Sequence, residues 1–169
     1  MKFELVTGYR PGSIGRIATL HAEYYSVASG FGVDFEAKVA RELATFCLAY
    51  QPERDGLWLA LVDGRVEGSI VIDGAHAAED GAHLRWFIVS DALRGSGAGR
   101  ALLSAALAFT DARYLRTYLW TFAGLNAARH LYEAHGFRLA EARPGAQWGK
   151  LVDEQRYERE RPVATSGGS

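Results

Sequence analysis

Polar and apolar residues alternate over residues 2–7 and then stop at Pro11-Gly12-Ser13, which predicts a short strand followed by a turn into a helix. Ser13 is the expected N-cap of that helix, and Ile14, Ile17, Leu20 and Tyr24 recur along one side of it. Gly30, Gly32 and Asp34 make a second break, with Asp34 as the expected cap of a helix that carries Phe35, Val39, Leu43 and Phe46 on one face. Apolar runs at 57–62 and 66–72 flank Asp63-Gly64-Arg65, and Asp-Gly suits the positive-φ positions of a tight hairpin turn. After a polar loop at 73–82 comes Leu84-Arg85-Trp86-Phe87-Ile88-Val89, dense enough in β-branched and aromatic side chains to predict a strand buried on both faces. Three adjacent antiparallel strands should result.

The second half of the chain opens on a change of pattern. Leu102, Leu103, Ala106, Leu107 and Phe109 fall at spacings near three and four, so a helix with one buried face follows the strand. Residues 116–122 then read as a strand and residues 126–135 as a short helix closed by Gly136. A strand starts at 137–140, and residues 147–157 supply the last one. The predicted order is β α α β β β α β α β β, an α/β architecture on a mixed sheet.

Between the 84–89 strand and the next helix lies Arg94-Gly95-Ser96-Gly97-Ala98-Gly99, followed by Arg100. Glycines at a strand-to-helix junction can converge several backbone N–H groups at a helix N-terminus, where the macrodipole favours an anion. The ligand implied is a phosphate. A glycine triplet alone is weak evidence, because glycines end strands for steric reasons as well.

Composition narrows the classes. At 169 residues, 49% apolar and 23% charged, the chain is expected to fold as one domain over residues 1–160, with a polar, glycine-rich flexible tail at 161–169. A formal charge of −1 argues against a broad footprint for nucleic acid or anionic membrane. The single Cys47 allows no internal disulfide, and its apolar setting suits a core residue better than a nucleophile. With no leader pattern and no run near the ~18 apolar residues of a membrane span, a cytoplasmic location is expected. The five histidines are scattered without metal-ligand spacing, so no metal is expected.

A second motif changes the weight of the first. Arg-x-x-Gly-x-Gly after the fourth strand, with Asn126-Ala127-Ala128-Arg129-His130-Leu131-Tyr132-Glu133-Ala134-His135-Gly136-Phe137 after the fifth, resembles the GNAT superfamily of acyl-CoA-dependent N-acetyltransferases over nearly the whole chain. Within it, Leu84-Arg85-Trp86-Phe87-Ile88-Val89, Leu119-Trp120-Thr121-Phe122 and Gly8-Tyr9-Arg10-Pro11-Gly12 are similar to acetyltransferase modules fused to MarR-type regulators.

The resemblance implies that acetyl-CoA is the acyl donor. Its pyrophosphate would be held by the turn amides of Arg94, Gly95, Ser96, Gly97, Ala98, Gly99 and Arg100. Its pantetheine arm would enter a splay between the fourth and fifth strands and pair with the backbone near Phe87, Ile88 and Val89. Tyr132 stands where the family has a general acid for the departing thiolate, against the alternative that it only packs its helix on the sheet. Asn126 is a helix cap, a pantetheine contact or both; Arg129 faces the cofactor phosphates or solvent.

The acceptor, a primary amine attacking directly in a ternary complex, must lose a proton, since a lysine-like amine has a pKa of about 10.4. Where the family commonly places a glutamate, this chain has His83, either a base or an ordinary strand histidine; Glu79, Asp80 and Glu23 are the other candidates. By alternation His83 should share a face with Arg85 and Phe87, and Arg85 could attract an acidic acceptor. Tyr24, Tyr25, Phe31, Trp86 and Trp120 gather where that acceptor should enter, most of them expected as core and a minority as an apolar wall for the acceptor or a stacking surface for its amine. Other readings remain open: a non-catalytic acyl-CoA sensor or interaction module, an enzyme for another acyl group, and a homodimer through the last strands.

Overall fold

Asp63 and Gly64 both take positive φ, 50° and 79°, and so close the hairpin between β2 (Gly56–Val62) and β3 (Arg65–Asp73). The computed structural model describes residues 2–163. Before the hairpin come β1 (Glu4–Thr7), α1 (Ser13–Ser29) and α2 (Val33–Leu48). After it come a one-turn helix α3 (Ala77–Asp80), β4 (Ala82–Val89), α4 (Ala98–Asp111), β5 (Arg116–Phe122), α5 (Asn126–Ala134), β6 (Arg138–Gly145) and β7 (Val152–Glu160). The strands form one mixed sheet in the order β1-β2-β3-β4-β5-β7-β6, antiparallel except for the β4–β5 pair.

Two apolar layers sandwich this sheet. On one side α1 and α2 press Ile17, Leu20, Leu43 and Phe46 onto Leu57, Leu59, Val71 and Ile88. On the other, α4 sets Leu102, Leu103 and Ala106 against Ala60, Ile70, Ile72 and Leu84, and Tyr132 of α5 joins the same cluster. β2 and β3, the strands read as apolar runs, are buried almost throughout.

The predicted element order holds, with several local corrections. Gly12, not Ser13, occupies the N-cap of α1, because its φ of 90° makes the turn while the Ser13 hydroxyl donates to the Arg10 carbonyl at 2.6 Å. Gly32 precedes α2, so Asp34 lies inside its first turn, where its charge still complements the helix dipole. The 73–82 loop contains α3, and β7 starts at Val152 because residues 146–151 form a turn around Gly149, φ 88°. Asn126 opens α5 without making a side-chain cap. The predicted tail lies outside the described residues from 164 onward.

β4 departs most from expectation. Ser69 pairs with Ile88 but Val71 pairs with Arg85, so Ile70 alone faces both Trp86 and Phe87. This bulge puts Trp86 at φ 45°, a left-handed conformation strained for a bulky residue. Alternation resets there. His83 and Arg85 stay on the α2 side with Trp86, whereas Phe87 turns to the α4 side against Tyr132, not to the face of His83. Nor is β4 buried on both faces; His83, Arg85, Trp86, Phe87 and Val89 are only half-buried.

The cause of that exposure is a gap in the sheet. β4 and β5 pair only at Ala82–Thr117 and His83–Tyr118, then diverge, while β5 pairs with β7 along its whole length. Beyond His83 the β5-facing edge of β4 therefore has no strand beside it. Helices α4 and α5 both start just past the carboxyl ends of these two parallel strands, which is where open α/β sheets collect ligands.

Candidate active site

Two cavities meet in the gap. One, of about 350 Å³, lies between the end of β4, the glycine turn and the apolar side of α5. The other, of about 390 Å³, lies between α2, β4, β5 and the β6–β7 turn. Tyr25, Phe87, Thr121 and Tyr132 line both.

The first cavity has unpartnered backbone donors at one end and apolar walls along its length. Gly95 and Gly97 have φ of 75° and 85°, and a Cβ on either would meet nothing within 4 Å, so what demands glycine there is backbone conformation rather than crowding. Four N–H groups, those of Gly95, Gly97, Gly99 and Arg100, have no backbone carbonyl partner among the described residues. The other three amides of the turn are engaged: Arg94 N–H donates to Asp91, Ser96 N–H to Leu93, and Ala98 N–H to the Ser96 hydroxyl. Ser90 adds a polar side chain at the same place, its buried Oγ having no hydrogen-bond partner among the described residues.

Of the residues the sequence singled out, Phe87, Ile88, Val89, Arg94, Gly95, Gly97, Ala98 and Gly99 line this cavity. Ser96, Arg100, Asn126 and Arg129 do not. Ser96 spends its hydroxyl on the Leu93 carbonyl at 2.6 Å, and Arg129 leans on Glu133 at 3.6 Å on the exposed side of α5. The side chain of Arg94 turns outward to Asp91 at 2.5 Å. Missed by the sequence reading were Ser90 and the apolar stripe of α5, Ala128 with Leu131; that stripe is legible in the helical period of the second motif.

Tyr132 is set by the way α5 ends. Phe137 N–H donates to the Tyr132 carbonyl and Gly136 N–H to Glu133, at 3.0 and 3.1 Å, with Gly136 at φ 92°. This is a Schellman cap, and its usual apolar contact is here Tyr132 against Phe137, ring centroids 5.8 Å apart. Phe87 flanks the same ring at 6.1 Å. Burial, helped by the neighbouring Tyr25, pushes the Tyr132 phenol above the ordinary tyrosine range, and burial likewise pushes Tyr25 up to about 12. Both phenols keep their protons at neutral pH.

The second cavity has aromatic walls and a charged floor. Trp86, Phe35, Phe122 and Trp148 form walls, and Trp148 is carried in by the β6–β7 turn, packing on Phe122 at 5.4 Å and Phe31 at 6.4 Å. Lys150 ties this turn down through its ammonium to the Ser29 carbonyl at 2.8 Å. Trp120 lines this cavity, whereas Tyr24 lies on the other one and Phe31 is buried behind the wall. Lys38, Glu42 and Arg85 are the charged lining.

His83 lies in this second cavity, its ring stacked on Tyr118 with centroids 4.4 Å apart. Burial, with Arg85, Arg156 and Lys38 nearby, lowers its pKa to about 3. It stays neutral but is a weak base. His21, which the sequence offered only as one of five scattered histidines, also lines the cavity. Its Nδ1 lies 2.8 Å from the Ile17 carbonyl, an acceptor only, so Nδ1 carries the proton and Nε2 the lone pair. Burial lowers its pKa to about 4. Glu23, Glu79 and Asp80 are exposed and line neither cavity. Cys47 is half-buried, and burial pushes its thiol up, away from nucleophilic character. No helix of the described residues is long and apolar enough to cross a membrane.

Comparison with known proteins gives the same picture of the fold. An acetyltransferase of the GNAT family from Staphylococcus aureus superposes with a TM-score of 0.74 at 17% identity, over 95% of this chain and all of that one. A proposed acetyltransferase of Salmonella typhimurium, solved with its cofactor acetyl-CoA, gives 0.73 at 16% identity over 100% and 99% of the two chains. The ribosomal-protein-S18-alanine N-acetyltransferase of Escherichia coli gives 0.67 at 20% identity over 98% and 99%. No curated protein matches the chain at a significant level. The model of the acetyltransferase (GNAT) family matches residues 16–137, which run from α1 through the glycine turn to the cap that sets Tyr132. With its mixed sheet opening between β4 and β5 in the GNAT manner, this chain belongs to the GNAT family of acetyltransferases.

Proposed function

We propose that the protein transfers the acetyl group of acetyl-CoA to a primary amine that binds in the second cavity and attacks directly, with both substrates present at once. The observation that carries this reading is that the two cavities share Tyr132 and Phe87, so a donor and an acceptor held in them would meet beside one buried phenol. Strand phrases such as Leu119-Trp120-Thr121-Phe122 support placing the chain near the modules joined to MarR-type regulators.

The first cavity suits acetyl-CoA on its own features. Unpartnered amides at Gly95, Gly97, Gly99 and Arg100 match a diphosphate, the orphaned Ser90 Oγ awaits a polar group, and the open edge of β4 offers backbone groups to the pantetheine amides. When bound, acetyl-CoA supplies an activated acyl carbon and a thiolate leaving group. The chain does the rest by position. Tyr132, held protonated, donates to the sulfur as the carbon–sulfur bond breaks.

Proton removal from the amine is the step for which His83 is poorly suited as sole base, because a pKa near 3 gives little driving force. Glu42, the carboxylate on the cavity floor, and neutral His83 and His21 are better read as a polar lining along which water relays the proton outward. Thiol release from acetyl-CoA with a panel of primary amines tests the whole reading. Amine-dependent release is expected; CoA binding without release for every amine would reject catalysis and favour an acyl-CoA-binding module.

A further inference from the structure

Arg85 is the least satisfied strong donor in the second cavity. Its side chain is only 21% exposed, and its guanidinium lies 4.1 Å from the centre of the Trp86 ring. It approaches Glu42 at 3.4 Å and Asp73 at 3.5 Å, yet it makes no hydrogen bond to the protein among the described residues. Glu42 meanwhile accepts from Lys38 at 3.3 Å. Lys38 and Arg85 thus share two carboxylates, Glu42 on the lining and Asp73 outside it. The neighbouring His83 remains neutral and adds no positive charge of its own to the site.

The bulge makes Arg85 part of this site. With two successive residues, Arg85 and Trp86, on the α2 side, the indole forms a platform that holds the guanidinium plane at the cavity floor. A planar fork of donors that is pre-positioned and not yet hydrogen-bonded is suited to a carboxylate, which it can grip with two parallel bonds. The other walls are Phe35, Phe122 and Trp148, which suit an apolar body. A volume of about 390 Å³ is near the small end of ligand cavities, enough for a small molecule.

From the guanidinium of Arg85, ion-paired with Glu42 and Asp73 but hydrogen-bonded to neither, and from the aromatic walls we infer that the acceptor is a free amino acid with a large apolar side chain, its carboxylate held by Arg85 and its amine directed to the thioester. This rests on the N-acetyltransferase reading above and names the acceptor class for it. A peptide amino terminus, whose neighbouring carbonyl is uncharged, would offer Arg85 no charge-assisted bond and is the disfavoured alternative.

The test uses matched triplets: L-phenylalanine, L-phenylalaninamide and phenethylamine, with the corresponding sets for tryptophan and leucine. Binding of each to the CoA-saturated protein is measured by calorimetry, and thiol release from acetyl-CoA in parallel. The free acids should bind and react at least about tenfold better than the amides and decarboxylated amines, in line with a charge-assisted hydrogen-bonded pair. In Arg85→Gln the acid-over-amide ratio should fall toward one, and Arg85→Lys should restore part of it. Amides or simple amines binding as well as the acids, binding of no member of the panel, or an unchanged ratio in Arg85→Gln would each overturn the proposal. Selective binding of the acids without thiol release would instead leave the carboxylate site standing and reject the transferase reading.

Discussion

The hydroxyl of Ser69 on β3 donates to the main-chain carbonyl of Trp86 on β4 at 2.7 Å, and so satisfies the carbonyl that the bulge turns out of the strand ladder. Ser69 is fully buried. That one bond supports a strained residue, Trp86 at φ 45°, on which both the Arg85 platform and the reorientation of Phe87 toward Tyr132 depend. A side chain on one face of the sheet thereby helps decide which residues of the next strand reach each cavity.

Ser69→Ala should therefore cost more than a lost surface bond. Leaving the Trp86 carbonyl unpaired in the interior is expected to destabilise the protein by about 1–3 kcal/mol in denaturant unfolding, with a fall in kcat/KM at retained CoA affinity. Wild-type stability in this variant would show that the bulge stands without the serine.

Tyr132→Phe keeps the ring that packs on Phe137 and Phe87 and removes only the proton donor. Turnover should fall by about 10²–10⁴-fold with a melting temperature close to wild type. Because burial holds the Tyr132 pKa above its ordinary value, the phenol stays protonated from acid through mildly alkaline pH, so the wild-type rate should show no loss assignable to Tyr132 below about pH 10.

Gly136→Ala addresses the same tyrosine from its cap. The new Cβ would meet Arg159 only at an ordinary 3.6 Å, but φ 92° is unfavourable for alanine. A loss of about 1–2 kcal/mol in stability is expected, with a lower kcat as the Phe137–Tyr132 contact loosens, and a KM for acetyl-CoA that moves little.

At the glycine turn, Gly97→Glu should abolish CoA binding, since a carboxylate would project where the unpartnered amides await the diphosphate. Gly97→Ala separates the causes. Its Cβ meets nothing within 4 Å, so it should lose affinity only as far as the backbone strain at φ 85° distorts the turn. Calorimetric titration with CoA reads both, and affinity retained in Gly97→Glu would reject the site.

His21 sets an acid limit on stability. Its folded pKa near 4 lies below the ordinary 6.5 because it is buried. Below pH 6.5 the unfolded chain takes up a proton that the folded protein does not, so stability should fall between pH 6.5 and 4, by about 3 kcal/mol in all, and level off below. His83, lowered to about 3, contributes with the same sign over a longer range. Thermal unfolding across this range should be less pH-dependent in His21→Gln.

Periodicity made the elements legible because each helix and strand buries one face, and the two motifs marked the first cavity because glycines at Gly95 and Gly97 answer a local backbone demand. The aromatic character of Trp86 and Trp120, which line the second cavity, was also visible. Other site residues left no local trace. His21, Lys38 and Glu42 come from the two helices before the hairpin, and Trp148 from a turn about 60 residues beyond β4, so only packing unites them. The cap at Gly12, φ 90°, went to the residue able to adopt the required backbone rather than to the best hydrogen-bonding side chain.

Sequence alone determined the order of elements, the sheet's two apolar faces and the glycine turn before α4, since all three follow from residue spacing and from the conformations that single residues permit. Tertiary structure alone decided the facing of β4. Period-two alternation put Phe87 beside His83, but one extra residue opposite Ile70 reset the phase at Trp86, and a bulge depends on the partner strand as much as on its own residues. It also decided the chemistry of His83, whose weak basicity arises from burial and three cations that the chain brings together only by folding.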